Sequence, residues 1–71
     1  MADLYGTRKL TSTEQRVVGF VCQGMKRRAI GQQLGTTEHV VANYLRAIYD
    51  KTGMDNQVGL ALWALSKGLA N

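Results

Sequence analysis

Apolar residues recur at helical spacing in four segments of the chain, separated by glycines or capping residues. In the first segment the apolar positions lie three or four residues apart and are Val17, Val18, Val21 and Cys22. Thr11 and Glu14 match a capping box just before them, and Leu10 is placed as a hydrophobic staple. We therefore predict a first helix that begins after Thr11, runs to about Gln23 and stops at Gly24.

A second and a third helix follow, joined by a short turn at residues 35 and 36. The second is predicted over residues 26 to 34, where Ala29 and Gly31 are small enough for another helix to cross closely. Thr37 is the expected N-cap of a third helix that runs to about residue 51. Its inward positions are Val40, Val41, Tyr44, Leu45 and Ile48. Its outward positions are Glu38, His39, Ala42, Asn43 and Arg46.

The fourth segment is apolar on nearly all sides. Asn56 is a good N-cap for a helix that runs to residue 67 and is closed by Gly68. A domain of this size cannot surround one of its own helices, so we expect part of this helix to contact another molecule. Residues 1 to 9 lack periodicity and are expected to form a flexible arm, which leaves residues 10 to 71 as one all-α domain.

The charge of the chain is placed unevenly. The 71 residues carry nine Lys and Arg against five Asp and Glu, a net charge of +4. Residues 1 to 46 hold seven of the cations and three of the anions, whereas the charges of residues 47 to 71 cancel. The excess indicates a polyanionic partner, and the alternative is a basic surface that only keeps the protein soluble.

Several classes of function are excluded or disfavoured by composition. One cysteine and one histidine cannot form an internal disulfide or a four-ligand zinc site, and Cys22 is expected to be a small buried residue. The chain shows no Ser/His/Asp set, paired carboxylates or phosphate-binding loop, so we expect neither an enzyme nor a cofactor, metal or small-molecule ligand. No signal peptide is visible and the longest apolar stretch is too short for a bilayer, which favours a cytoplasmic, nucleoid-associated protein away from membranes.

Two short helices joined by a glycine-containing turn, the second with a polar outer face, are typical of a helix-turn-helix. The first helix of this motif is the second helix of the chain, and the cations at its start suit DNA phosphates. The other helix of the motif is the third helix of the chain, and its Arg and Asn can pair with guanine and adenine. The candidate DNA-binding residues are Lys26, Arg27, Arg28, Thr37, His39, Ala42, Asn43 and Arg46.

The chain resembles the LuxR-type (GerE-like) helix-turn-helix domain of bacterial transcription regulators. The residues that carry the resemblance run without a gap and are Leu10, Thr11, Glu14, Val17, Val18, Gly24, Ile30, Leu34, Val41, Leu45, Ile48, Lys51, Gly53, Asn56, Ala61, Ala64, Gly68 and Leu69. The resemblance implies a four-helix fold of the winged-helix superfamily without a wing. It also implies that the third helix recognises DNA and that the fourth is used for dimerisation, with Leu60, Ala61 and Ala64 facing inward.

The departures from the family pattern concern polar groups. Residues 40 to 45 read Val-Val-Ala-Asn-Tyr-Leu where the family has Thr-Val-Lys-x-His-Leu, and Thr13 and Gln57 each stand where an Arg is usual. Residues 26 to 29 read Lys-Arg-Arg-Ala in place of Ser-Asn-Lys-Glu. These changes indicate that the contacts to phosphate have shifted from the third helix to the second.

Two hypotheses follow. In the favoured one, the protein is a stand-alone transcription regulator that binds double-stranded DNA as a homodimer through its fourth helix. The expected dimer residues are Val58, Leu62, Trp63 and Leu65, although Trp63 fits the core equally well. In the alternative, the domain is a protein-interaction module that uses Tyr44 and the fourth helix to bind a partner regulator, with weak or no DNA binding.

Overall fold

The computed structural model describes residues 10 to 68, which form four α-helices and, within that range, no strand. They are α1 (Ser12–Cys22), α2 (Arg27–Leu34), α3 (Glu38–Thr52) and α4 (Gln57–Ser66). The predicted all-α, four-helix fold is confirmed, and each helix end lies within one residue of its predicted place. The arm expected at residues 1 to 9 lies outside the described residues.

The helix ends are set by the side chains that the sequence indicates. At the start of α1, the Glu14 N–H donates to Thr11 Oγ1 over 3.1 Å and the Thr11 N–H donates to Glu14 Oε1 over 2.9 Å, which completes the capping box. Thr37 caps α3 by accepting from the Val40 N–H at 3.2 Å. Asn56 caps α4 in the same way, at 2.7 Å from the Gly59 nitrogen. These bonds satisfy backbone donors that a helix N-terminus otherwise leaves unpaired.

The core lies between α1 and the other three helices, with α4 packed mainly on α1 and α3 packed on both α1 and α2. The buried apolar residues are Leu10, Val17, Val18, Val21, Ile30, Val41, Leu45, Ile48, Leu60, Trp63 and Ala64. Phe20, Leu34, Tyr44 and Tyr49 pack against this cluster and are half-buried. Most of the predicted inward positions are therefore confirmed.

The structure corrects the prediction for Val40 and decides between the two places that the sequence left open for Trp63. Val40 is half-buried and does not join the core, because it lies about 100° around α3 from the completely buried Val41, at the edge of the buried face. Trp63 is 9% exposed and lies in the core, because it shares one face of α4 with Leu60 and Ala64 at helical spacing. Its indole is used inside the domain, and we remove it from the candidate dimer surface.

Glu14 is the one charged side chain that is buried among residues 10 to 68. Lys51 Nζ, near the end of α3, donates a hydrogen bond to Glu14 Oε1 over 2.7 Å. Burial alone would raise the pKa of Glu14, but the hydrogen bonds from Lys51 and Thr11 and the charge of Lys51 outweigh it and lower this pKa below its usual value. The start of α1 and the end of α3 are thus joined by a partly buried ion pair.

We expect Glu14→Gln to lower the free energy of unfolding by about 1 to 3 kcal/mol at neutral pH, because it leaves the Lys51 ammonium without its partner charge. The matched control is Glu38→Gln, which breaks an exposed ion pair with Arg27 and should cost at most about 1 kcal/mol. Urea unfolding of the three proteins measures both differences.

The difference in free energy of unfolding between wild type and Glu14→Gln depends on pH. Because the pKa of Glu14 is lowered by folding, its stabilising effect is complete above the pKa of the unfolded chain and is lost as the pH falls through the folded-state pKa. The difference between wild type and Glu14→Gln should therefore shrink on acidification. A difference that stayed constant down to about pH 3 would contradict the ion-pair account.

Candidate nucleic-acid interface

The angle between α2 and α3 is set where α2 passes the turn before α3. Gly31 is buried, and a Cβ at this position would lie 3.0 Å from the Thr36 carbonyl oxygen and 3.2 Å from the Thr37 carbonyl carbon. Gly35 ends α2 in the left-handed conformation with φ of 71°, where side chains other than glycine are strained. A close approach does occur at Gly31, but the neighbour is the backbone of the turn and not the crossing helix that the sequence predicted.

The outer face of α3 is exposed at three of the candidate DNA-binding positions. His39, Asn43 and Arg46 lie on one face, at spacings of four and three residues, and all are exposed. An α-helix with its side chains is about 10 to 12 Å across, which suits the width of a major groove. Ala42 lies beside Asn43 and is half-buried, and Thr37 is exposed but uses its hydroxyl oxygen as the cap of α3.

The cations at the start of α2 adjoin this face. Lys26 is the N-cap residue of α2 but makes no side-chain capping bond, and Arg27 and Arg28 occupy the first turn. All three are exposed. Arg27 Nε lies 3.9 Å from the Glu38 carboxylate at the start of α3, so the two helices are also linked by charge. The structure places every candidate DNA-binding residue on α2, α3 or the turns that precede them.

A groove lies where α2 and α3 meet the start of α4. It has a volume of about 240 Å³ and is lined by Arg27, Ala42, Leu45, Arg46, Tyr49 and Gln57. Sequence reasoning missed Tyr49 and Gln57 as members of the site. The spacing of three residues between Arg46 and Tyr49 could have pointed to Tyr49, whereas the position of Gln57 depends on how α4 packs.

Tyr49 has a perturbed pKa. Burial raises the pKa of its phenol, with Arg27 acting against this shift and Asp55 adding to it. A tyrosine phenol is protonated at neutral pH with or without this shift, so its hydroxyl can donate a hydrogen bond.

A second surface lies on α4 and borders the α2 cations at Lys26. Val58, Leu62 and Leu65 are 73%, 62% and 58% exposed and share one face of the helix. Val58 and Leu62 also line an apolar groove of about 440 Å³ between α4 and the end of α1. Cys22 lies in this groove and is half-buried where the sequence predicted full burial, and burial raises the pKa of its thiol.

Neither a metal-binding cluster nor a membrane-spanning helix is present in the described part of the chain. Within residues 10 to 68, no three His, Cys, Asp or Glu side chains come together as metal ligands. No helix over the same residues has the length and apolar character needed to cross a bilayer.

Comparison with known proteins identifies the family. Residues 8 to 64 match the family described as bacterial regulatory proteins, luxR family, also called GerE. The chain belongs to this family, and its α2, turn and α3 are the helix-turn-helix that the sequence predicts.

Two curated relatives are regulators by name. The chain is 36% identical over 59 residues to the response regulator Rre1 of Synechocystis sp., which covers 83% of the chain and 26% of Rre1. It is 33% identical over 61 residues to the transcriptional regulatory protein YdfI of Bacillus subtilis, which covers 86% of the chain and 29% of YdfI. The matched region is thus less than a third of each relative. No solved structure matches the chain significantly.

We expect Gly31→Ala to destabilise the domain by about 1 to 3 kcal/mol, although alanine is the better helix former, because its methyl group meets rigid turn backbone. The matched control is Gly19→Ala in α1, where no atom lies within 4 Å of the new Cβ and we expect stabilisation of up to about 1 kcal/mol. Thermal unfolding of both variants gives the two signs. Equal effects at both positions would show that the turn does not constrain α2.

Proposed function

We propose that this protein binds double-stranded DNA as a transcription regulator, with α3 in the major groove and the start of α2 on the phosphate backbone. The observation that carries the proposal is the exposed polar face of α3 beside three exposed cations at the start of α2. Membership of a family of bacterial regulators supports it. The net charge of residues 1 to 46 adds long-range attraction to a polyanion.

The phosphate contacts come from Lys26, Arg27 and Arg28. The N-terminus of a helix offers unpaired backbone N–H groups and a positive dipole end, so cations there act together with the backbone on the same anion. Because the carboxyl group of the family pattern is absent at Ala29, no acidic residue lies in the first turn of α2. Such contacts supply affinity and position the protein, but they carry little sequence information.

The base contacts come from the face of α3. The Asn43 amide can pair with adenine through two hydrogen bonds, Ala42 can contact a thymine methyl group, and His39 can reach a base from the first turn. The family's usual lysine and histidine are replaced at Ala42 and Tyr44, so we expect a base preference that differs from that of other family members.

We further propose that two copies associate through Val58, Leu62 and Leu65 of α4. Three large apolar side chains with more than half of their surface exposed form a stripe that a small monomer does not normally leave in water. A two-fold dimer with α4 at its centre presents both α3 helices on one side, for two half-sites about one turn of DNA apart.

One observation favours a second function. The α4 stripe continues into the apolar groove beside Cys22 and Met25, so the same surface can receive an apolar helix of a partner regulator. A folded wild-type protein that stayed monomeric and bound no duplex would favour this interaction module over the DNA-binding regulator.

Removing the α2 cations should weaken binding to every duplex and reduce its salt dependence. For the double variant Arg27→Ala with Arg28→Ala, we expect the log-log slope of affinity against salt to fall by about 0.9 for each phosphate that the variant no longer neutralises. Arg16→Ala is the control, because it removes an exposed cation of α1 that lies over Phe20 and outside the α2–α3 surface. Fluorescence anisotropy at several salt concentrations gives the slopes, and slopes identical to wild type would contradict the phosphate contacts.

Placing a charge in the α4 stripe should separate the two copies. We expect Leu62→Glu to be a folded monomer, because burial of two carboxylates across a two-fold axis is strongly unfavourable. Gln33→Glu adds the same charge to an exposed position of α2 and should leave the dimer intact. Sedimentation equilibrium measures the mass of each protein, and a wild type that is monomeric at every concentration would disprove the dimer.

A further inference from the structure

The groove at the start of α4 is built from hydrogen-bond donors on three helices. Arg27 comes from α2, Arg46 and Tyr49 from α3, and Gln57 from α4, over an apolar floor of Ala42 and Leu45. Each of the four polar side chains can donate a hydrogen bond, and none of the lining residues is acidic. Two guanidinium groups that line one groove repel each other unless an anion lies between them. The composition of the groove is that of an anion site.

We propose that this groove holds one backbone phosphate of the bound DNA, between the guanidinium groups of Arg27 and Arg46, with the Tyr49 hydroxyl donating a hydrogen bond to a phosphate oxygen. This inference rests on the DNA binding proposed above and adds Tyr49 to the residues that carry it. It also assigns Arg46 to the backbone, whereas the sequence pattern alone favoured a base for this side chain.

The two arginines are free to make this contact. Arg46 is exposed, and the ion pair of Arg27 with Glu38 is long, at 3.9 Å, and about half exposed on both sides. Exposed pairs of this kind contribute little, so a phosphate can replace Glu38 as the partner of Arg27. Arginine binds phosphate oxygens through two parallel N–H bonds, which suits a groove lined by two guanidinium groups.

Tyr49 is held in place with its hydroxyl unused. Its ring packs against the core, which fixes the direction of the side chain. Within residues 10 to 68 the hydroxyl makes no hydrogen bond, and no buried side-chain nitrogen or oxygen in that range lacks a partner, so the hydroxyl is accessible at the groove. A rigid, accessible donor beside two cations suits an anion and has no function inside the domain.

The first test compares two tyrosines of α3. Tyr49→Phe removes the hydroxyl from the groove, and Tyr44→Phe makes the same change on a half-buried tyrosine of α3 that does not line it. We expect Tyr49→Phe to weaken binding to all duplexes by about tenfold or more, because it removes a hydrogen bond to a charged oxygen. The salt slope should stay unchanged, since a neutral donor releases no counterion. Tyr44→Phe should bind like wild type.

Duplexes that carry one neutral methylphosphonate at a time then locate the contact. The position that weakens wild type most should weaken Tyr49→Phe less, because the hydrogen bond to that phosphate is already absent, and other positions should affect both proteins equally. Arg46→Ala should lose sensitivity at the same position and should weaken binding to specific and nonspecific duplexes alike. Loss of sensitivity at a different position, or weakening confined to the specific duplex, would overturn the assignment of Arg46.

Moving the guanidinium across the groove is the last test. Arg27→Asn should weaken binding, and adding Gln57→Arg to it should restore most of the affinity. A double variant no tighter than Arg27→Asn would contradict a phosphate held between the two sides. If wild type binds duplex DNA and Tyr49→Phe is indistinguishable from it, the phosphate site is disproved and the proposed function stands. If folded wild type binds no duplex, the proposed function itself fails.

Discussion

The buried carboxylate of Glu14 connects the helices that position the proposed DNA surface. A single oxygen of Glu14 accepts from the Thr11 N–H at the start of α1 and from the Lys51 ammonium near the end of α3. The same residue therefore caps one helix and fixes a second. Because α3 also packs on α2, the position of α2 and its cations follows from the attachment of α3. A domain this small is only marginally stable, so this one interaction supplies a large share of its free energy of unfolding.

Charged and apolar exposed side chains lie on two neighbouring surfaces. The start of α2 and the outer face of α3 carry exposed cations and polar groups, whereas the exposed face of α4 carries Val58, Leu62 and Leu65. The two surfaces meet at Lys26 and Gln57, which line the groove beside α4. The result is one surface suited to a polyanion and an adjoining one suited to an apolar partner.

The helices and their caps could be predicted from the sequence because the signals are local. The Thr11 and Glu14 capping box, the Thr37 and Asn56 caps and the glycine at position 35 all act within four residues of their own positions. The close approach at Gly31 could also be predicted, since a glycine inside a short helix next to a turn indicates that other backbone passes nearby.

Contacts between residues that lie far apart in the sequence could not be predicted. Lys51 and Glu14 are 37 positions apart, and nothing in the spacing of either residue pairs them. The groove combines residues of three helices, so Tyr49 and Gln57 joined the candidate site only when the packing was known. On α4, nearly every position is apolar, so periodicity could not tell whether Trp63 faces the core or solvent.

The most direct test of the central claim is an amide NMR titration of the isotope-labelled protein with a short duplex at low salt. The account predicts that chemical-shift changes cluster in the first turn of α2, on the outer face of α3 and around Tyr49, while Val58, Leu62 and Leu65 keep their shifts. Changes confined to α4 with none on α3, or no change in any amide, would contradict it.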